Sequence, residues 1–275
     1  MLDFTIDLET CIGCGQCASD CPAIIISMAT GVPTIAPELE SFCIRCMHCV
    51  AICSEGSVSI HGYGPQEGAL LPAKILATPA QMEMLIKARR SVRKYRDENL
   101  NPQLIDKLIE VASHAPSGHN DRQLIYTLVD DKGVLFDLRE EAIAALAELV
   151  KEKKLPEGLD MFADIIEAWK KSGTDILFRG APHLLIVSAL DESAAPLQDC
   201  LIALTTFELY AQSHGVGTIW NGLAMLTISE LVPSLKKRLG IPEDHQIGYV
   251  MGFGYPAIQY ERTINRGKPQ VNRIK

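Results

Sequence analysis

Eight of the nine cysteines fall into two runs of the same spacing, CxxCxxCxxxC: Cys11, Cys14, Cys17 and Cys21, then Cys43, Cys46, Cys49 and Cys53. A tight CxxCxxC loop presents three sulfurs to one centre, and a trailing fourth cysteine reaches a neighbouring one. Thiolates select soft metals. The first run continues into Pro22 and the second into Ser54. Proline restrains the backbone but supplies no ligand atom, so its loss should change local rigidity or potential more than assembly. Zinc and disulfides are the competing readings. Zinc sites use paired CxxC knuckles rather than triplets with a trailing cysteine. Disulfides suit a secreted chain, yet the N-terminus carries Asp3, Asp7 and Glu9 in place of a basic start and an apolar run. Iron and sulfur in a reducing cytoplasm are the expectation.

With Pro22 the first run completes CxxCxxCxxxCP, and residues 1–62 resemble two-cluster bacterial ferredoxins. The resemblance implies two 4Fe-4S clusters: Cys11, Cys14, Cys17 and Cys53 would hold one, and Cys43, Cys46, Cys49 and Cys21 the other. Physical reasoning agrees, because so short a segment buries little core and metal centres are a common substitute.

The 275 residues, 47% hydrophobic and 22% charged, leave room for a substantial second domain. No apolar run is long enough to cross a bilayer; the best, residues 182–190, is strand-sized. A net charge of −8 spread along the chain argues against a nucleic-acid partner, which needs a basic face. Residues 63–79, with Gly64, Pro65, Gly68, Pro72 and Pro79, read as a linker. The apolar Leu70, Leu71, Ile75 and Leu76 predict that it is docked rather than free.

Residues 80–275 read as helices with interspersed strands. Helical spacing marks residues 79–89, with Met82, Leu85 and Ile86 on one side. A second helix starts at Asn101 as N-cap with Pro102 at the first helical position. It buries Leu104, Ile105, Leu108, Ile109 and Ala112 and stops before Pro116. Buried strands are predicted over 124–129 and 182–190, with helices over 135–150 and 159–171 between them. A long apolar helix covers 196–214 and closes at Gly215. Thr227 and Glu230 form a capping-box pair for a short helix that Pro233 interrupts, and a last strand covers 245–252. The sum is an α+β domain with its sheet between helices.

Three polar patches stand out here. Arg89, Arg90, Ser91 and Arg93 put guanidinium forks and a hydroxyl at a helix end, which suits a phosphate; a solvated basic face is the plain alternative. The loop 115–123, APSGHNDRQ, has small residues that let a flat ligand approach, and Asn120 offers donor and acceptor to a heterocycle edge; an ordinary polar turn competes. Arg262, Arg266 and Lys268 form a basic C-terminal cluster.

RRSVRKY at 89–95, APSGHN at 115–120, RGAPHLLIV at 179–187, GVGTIWNGL at 215–223, GFGYP at 252–256 and RGKP at 266–269 occur in one order. Together they make residues 82–275 similar to the FMN-dependent nitroreductase family. The resemblance implies a nitroreductase-like α+β sandwich and a domain-swapped homodimer. In it Arg89, Arg90, Ser91, Arg93, Arg266 and Lys268 grip the FMN phosphate and ribityl chain. Ser117, Gly118, His119 and Asn120 would reach the isoalloxazine from the partner subunit, and Gly222 and Leu223 match the backbone that faces flavin N5. The chain departs from the family at Asp121 and Arg122, where Gln-Pro-Trp is usual, and at Trp220 and Asn221.

Other signals carry less. GFGYPA fits GxGxxA, but Pro256 and the lack of a following helix argue against a dinucleotide turn. His48 and His119 read as satisfied polar groups and Cys200 as a core thiol. No catalytic side chain and no hydrolytic arrangement stands out. The expected function is an FMN oxidoreductase that receives electrons through the clusters from an external donor, a reduced ferredoxin-like protein or an NAD(P)H system, and reduces a nitroaromatic, a quinone or another flat acceptor. The alternatives are a flavin-dependent reductive dehalogenase or flavin-fragmenting enzyme, and an electron-transfer or redox-sensing module acting on a protein.

Overall fold

A computed structural model of the chain describes residues 2–71 and 76–274. It divides into two compact units, Met1–Leu76 with His119–Asp121, and Ala77–Gly118 with Arg122–Lys275.

The first unit has little regular structure: β1 (Thr5–Ile6), α1 (Gln16–Ser19), β2 (Ile26–Ser27), β3 (Thr34–Ile35), α2 (His48–Ala51) and β4 (Val58–Ser59). β1 pairs antiparallel with β4, and β2 with β3. Its core sets Leu2, Ile25, Ile26, Val58 and Ile60 against the sulfurs of Cys17 and Cys49. The two cysteine runs share one backbone. Gly13 and Gly15 are left-handed in the first (φ 67° and 72°), and Arg45 and Met47 in the second (φ 55° and 61°). That conformation costs an L-residue about 1–2 kcal/mol and glycine almost nothing. The second run adopts it without glycine, so the cysteine loop itself demands it.

The expectation of a docked linker is corrected. Leu70, Leu71 and Leu76 are 92%, 90% and 82% exposed; Pro72 and Ile75 lie outside the described residues. A stretch with neither helical nor strand period cannot turn its apolar side chains to one side.

The second unit is built on β5 (Leu124–Val129), β6 (His183–Leu190), β7 (Gly217–Trp220) and β8 (His245–Gly254) in the order β5-β6-β8-β7, every neighbour antiparallel. Its helices are α3 (Pro79–Ala88), α4 (Pro102–Ala112), α5 (Lys132–Lys151), α6 (Met161–Ser172), α7 (Pro196–Ser213), α8 (Gly222–Leu226) and α9 (Pro233–Arg238). Strand alternation in β6 sends Leu184 and Ile186 into a core shared with α5, α6, α8 and α9, and Leu185, Val187 and Ala189 into one shared with α4 and α7. The expected sheet between helices is present, and the fold class is α+β.

Three local expectations change. β5 is an edge strand with only Val129 buried and Ile125 exposed, because β6 covers one side of it alone. Gly217–Trp220, read in the sequence only as part of a motif, is the opposite edge strand. Thr227 is not an N-cap: Asn221 accepts from the Ala224 N–H and starts α8, while Thr227 closes that helix and its hydroxyl donates back to the Leu223 carbonyl at 2.8 Å. Pro233 does end that helical stretch, by opening α9.

α7 buries Cys200, Ala203, Leu204, Phe207 and Ala211, while Leu197, Leu201 and Ile202 stay exposed on its other side. Cys200 is a core thiol, pushed up to about 12 by burial. It lies against β8 where the ladder to β6 slips between Val187 and Ser188, leaving Gly248 as the extra residue. A Cβ on Gly248 would stand 2.1 Å from Cys200 Cβ. Gly248→Ala should therefore destabilise the second unit by about 1–3 kcal/mol, the range for overpacking. Denaturant unfolding of the single variant and of Gly248→Ala combined with Cys200→Gly, which should recover part of the loss, checks this.

Candidate functional site

Two small cavities in the first unit gather the eight cysteines. One is lined by Cys21, Cys43, Cys46 and Cys49 with Ile25, Ile26 and Ile60. The other is lined by Cys11, Cys14, Cys17 and Cys53 with Val58. Each run contributes three sulfurs to its own cavity and lends one to the other, because α1 and α2 carry the third cysteines, Cys17 and Cys49, side by side into the core. Among the described residues no three Cys, His, Asp or Glu side chains converge on a single ion. Four cysteines line each cavity, and four thiolates are the ligand number of a 4Fe-4S cluster. Burial raises the Cys17 thiol and pushes Cys49 up to about 11. Such sulfurs ionise when a cation compensates the charge, which bound iron does. Other groups approach the sulfurs, among them the Ser57 N–H, which donates to Cys53 Sγ at 3.2 Å, and His61 Nε2, which lies 3.8 Å from Cys43 Sγ.

In the second unit the basic segment leaves α3 at Arg89 and runs extended beside β7. The Val92 N–H donates to the Thr218 carbonyl at 2.8 Å, and the Arg96 N–H to that of Tyr255 at 2.9 Å. The approach is close: a Cβ on Gly217 would stand 2.5 Å from Val92 Cγ2. Tyr95, its phenol raised by burial, donates to the Val92 carbonyl at 3.0 Å. Beside this segment lies a cleft of about 540 Å³ lined by Arg90, Val92, Gln212, Thr218 and residues 256–260, within the roughly 300–1,000 Å³ of small-molecule sites. The chain after β8 is tied to it, since the Tyr260 hydroxyl donates to the Ser91 carbonyl and Arg90 Nη2 to the Arg262 carbonyl.

Glu208, 4% exposed on α7, is the junction behind the cleft. Its carboxylate accepts from Arg89 Nη1 at 3.2 Å, Thr218 Oγ1 at 3.0 Å and Trp220 Nε1 at 3.1 Å. Trp220 also meets Tyr249 edge to face, 5.2 Å between ring centroids. Asn221, buried, donates to the Leu177 carbonyl and accepts from Ala224, which fixes the turn into Gly222 and Leu223. In the loop 115–123 the Gly118 N–H donates to both oxygens of buried Asp199, and the Arg122 N–H to Ser117 Oγ at 3.0 Å. His119, Asn120 and Arg122 all have positive φ, strain of a kind that concentrates at binding sites. Within the first unit, to which His119–Asp121 belongs, Asn120 Nδ2 donates to the carbonyls of Ile44 and Arg45.

Residues 86–255 match the family model described as the nitroreductase family. The chain belongs to the nitroreductase family. Residues 3–54 match a second model, a 4Fe-4S dicluster domain. A nitroreductase relative from Methanothermobacter thermautotrophicus, called a putative NADH dehydrogenase/NAD(P)H nitroreductase, is 30% identical over 186 residues, 65% of this chain and 80% of its own length. An iodotyrosine deiodinase of Haliscomenobacter hydrossis is 24% identical over 203 residues, 70% of this chain and 87% of its own. Among solved structures, a nitroreductase of Bacteroides fragilis with bound FMN superposes with a TM-score of 0.57 at 25% identity, covering 70% of this chain and 99% of that one. The chain is thus an oxidoreductase of the nitroreductase type with an added iron–sulfur domain.

Of the residues the nitroreductase resemblance singles out, Arg89, Arg90, Ser91 and Arg93 lie on one extended segment, with Arg90 on the cleft wall. Gly222 and Leu223 follow β7 but do not line that cleft. Arg266 and Lys268 are exposed in the C-terminal segment. Sequence reasoning passed over Glu208, Asp199 and His61. Glu208 and Asp199 had a signal, being carboxylates on the apolar side of a helix, where a charge needs a partner. Glu208→Gln would leave Arg89 without its counter-charge, and about 1–3 kcal/mol of stability should be lost. Thermal unfolding followed by fluorescence, with Trp220 as the local reporter, checks this.

Proposed function

We propose that the chain is an FMN-dependent oxidoreductase that receives electrons through two 4Fe-4S clusters and reduces a small flat organic acceptor such as a nitroaromatic or a quinone. The observation that carries the reading is the pair of four-cysteine cavities on the same polypeptide as a nitroreductase domain. Clusters carry single electrons, and a flavin can pair them for delivery to the acceptor. Fusion holds the two centres at high effective concentration.

The remaining work falls to side chains and backbone. Cys11, Cys14, Cys17 and Cys53 hold one cluster, and Cys21, Cys43, Cys46 and Cys49 the other. Arg89, Arg90, Ser91 and Arg93 bind the flavin phosphate and ribityl chain, joined by Arg266 and Lys268. Glu208 orients Arg89 for this and keeps Trp220 in place beside the turn. Gly222 and Leu223 present backbone to the flavin N5 edge, and Asn221 holds that turn still. The loop residues Ser117, Gly118, His119 and Asn120 complete the site across a homodimer. The exposed Leu197, Leu201 and Ile202 of α7 supply an apolar face for that dimer to bury. The electron donor is a separate protein or an NAD(P)H system. Thiolate-held iron suits a reducing cytoplasm, and among the described residues no helix is long and apolar enough to cross a membrane.

Reductive dehalogenation is the second reading, favoured by the similarity to the iodotyrosine deiodinase. Turnover of halogenated phenols without nitroaromatic reduction would select it.

Oxygen-free purification followed by metal, sulfide and flavin analysis tests the first reading. It expects about eight irons, from two four-iron clusters, and one FMN per chain; zinc in the cysteine sites overturns it. Arg90→Ala should weaken FMN binding by about 1.5–3 kcal/mol, the worth of a charge-assisted hydrogen bond, with iron content unchanged. Flavin titration against the flavin-free protein measures the affinity and metal analysis the iron, and equal affinity would remove Arg90 from the phosphate grip.

A further inference from the structure

His61 is fixed more firmly than a surface histidine needs to be. Its N–H donates to the Leu2 carbonyl at 2.9 Å, and the residues on either side close a tight turn in which Ile60 and Tyr63 exchange two backbone hydrogen bonds of 2.9 Å. His61 sits in this turn at φ 56°, a left-handed conformation unfavourable for a residue with a Cβ. The preceding Ile60 is 3% exposed and lines the cavity of Cys21, Cys43, Cys46 and Cys49. The turn thus carries the imidazole to the rim of that cavity, with Nε2 3.8 Å from Cys43 Sγ.

A metal-bound thiolate has lone pairs and no proton, so the nitrogen facing it must be the donor. A hydrogen bond to a ligand sulfur draws off charge and favours the reduced, more negative cluster. The other cavity has a donor of a different kind, the backbone N–H of Ser57 on Cys53.

We propose that His61 is a potential-setting residue. By donating from Nε2 to Cys43 Sγ it raises the reduction potential of the cluster held by Cys21, Cys43, Cys46 and Cys49, and so biases the electron toward that end of the first unit. The proposal rests on the two-cluster reading, and the two fail differently: without iron in the unaltered protein the reading falls, whereas complete iron with an unmoved potential removes only the role of His61.

The test is stepwise reduction of the intact, anaerobically purified protein, followed by electron paramagnetic resonance, for the unaltered chain, His61→Leu and His61→Gln. In His61→Leu one of the two reduction waves should move to lower potential while the other stays, with iron and sulfide unchanged, and His61→Gln, which keeps an N–H donor, should recover part of the shift. Waves that do not move, or that move together, overturn the proposal. If His61→Leu loses iron, [15N]histidine labelling in a His48→Gln background decides instead. A 15N hyperfine coupling to the reduced cluster supports the hydrogen bond, and its absence overturns it.

Discussion

A thiol buried without a compensating charge governs the first unit. Cys17 and Cys49 occupy the centre of a core that otherwise consists of a few aliphatic side chains, and burial above all drives both thiols away from ionisation. Bound iron would reverse that balance, because it would turn the sulfurs into bound anions and tie together distant points of a chain whose strands are two residues long. The left-handed Arg45 and Met47 belong to the same constraint. The loop geometry that aims three sulfurs inward is kept even where no glycine eases it.

The second unit solves a different problem. Its sheet is covered on both faces, and the cleft beside Arg90 lies at an edge, where the basic segment runs along β7 and the chain after β8 folds back over it. Glu208 gives this edge its order. One buried carboxylate joins a helix, the basic segment and the strand that leads to Gly222, and its three donors leave little of its capacity unmet. Asp199, one helical stretch earlier on α7, performs the matching task for the loop at Gly118. The long helix that reads as plain core thus sends two carboxylates to the two segments that the family resemblance assigns to the flavin.

Much of this was legible in the sequence, for identifiable reasons. The cysteine spacing fixes which sulfurs are near neighbours. Asn101 followed by Pro102 marks a helix start through local backbone chemistry alone, and the unbroken apolar run of β6 announces a central strand. β7 was not legible as a strand, since four residues beginning with glycine give too short a pattern. Thr227 misled because its hydroxyl chose the carbonyl of Leu223 over a cap, a choice that depends on Asn221 having started the helix first. The apolar linker residues misled because composition was read without period.

The sequence by itself determined the donor chemistry: eight thiolates in two triplets with trailing fourths, a run of guanidiniums, and the ordered family motifs. These follow from residue type and short spacing, which need no knowledge of the fold. Only the tertiary structure decided what stands behind those groups. Glu208 meets Arg89 across 119 residues, Asp199 meets Gly118 across 81, and His61 meets Cys43 across 18 through a turn. Such pairings depend on how helices and strands pack, and no local pattern encodes the direction in which a single buried carboxylate or imidazole will point.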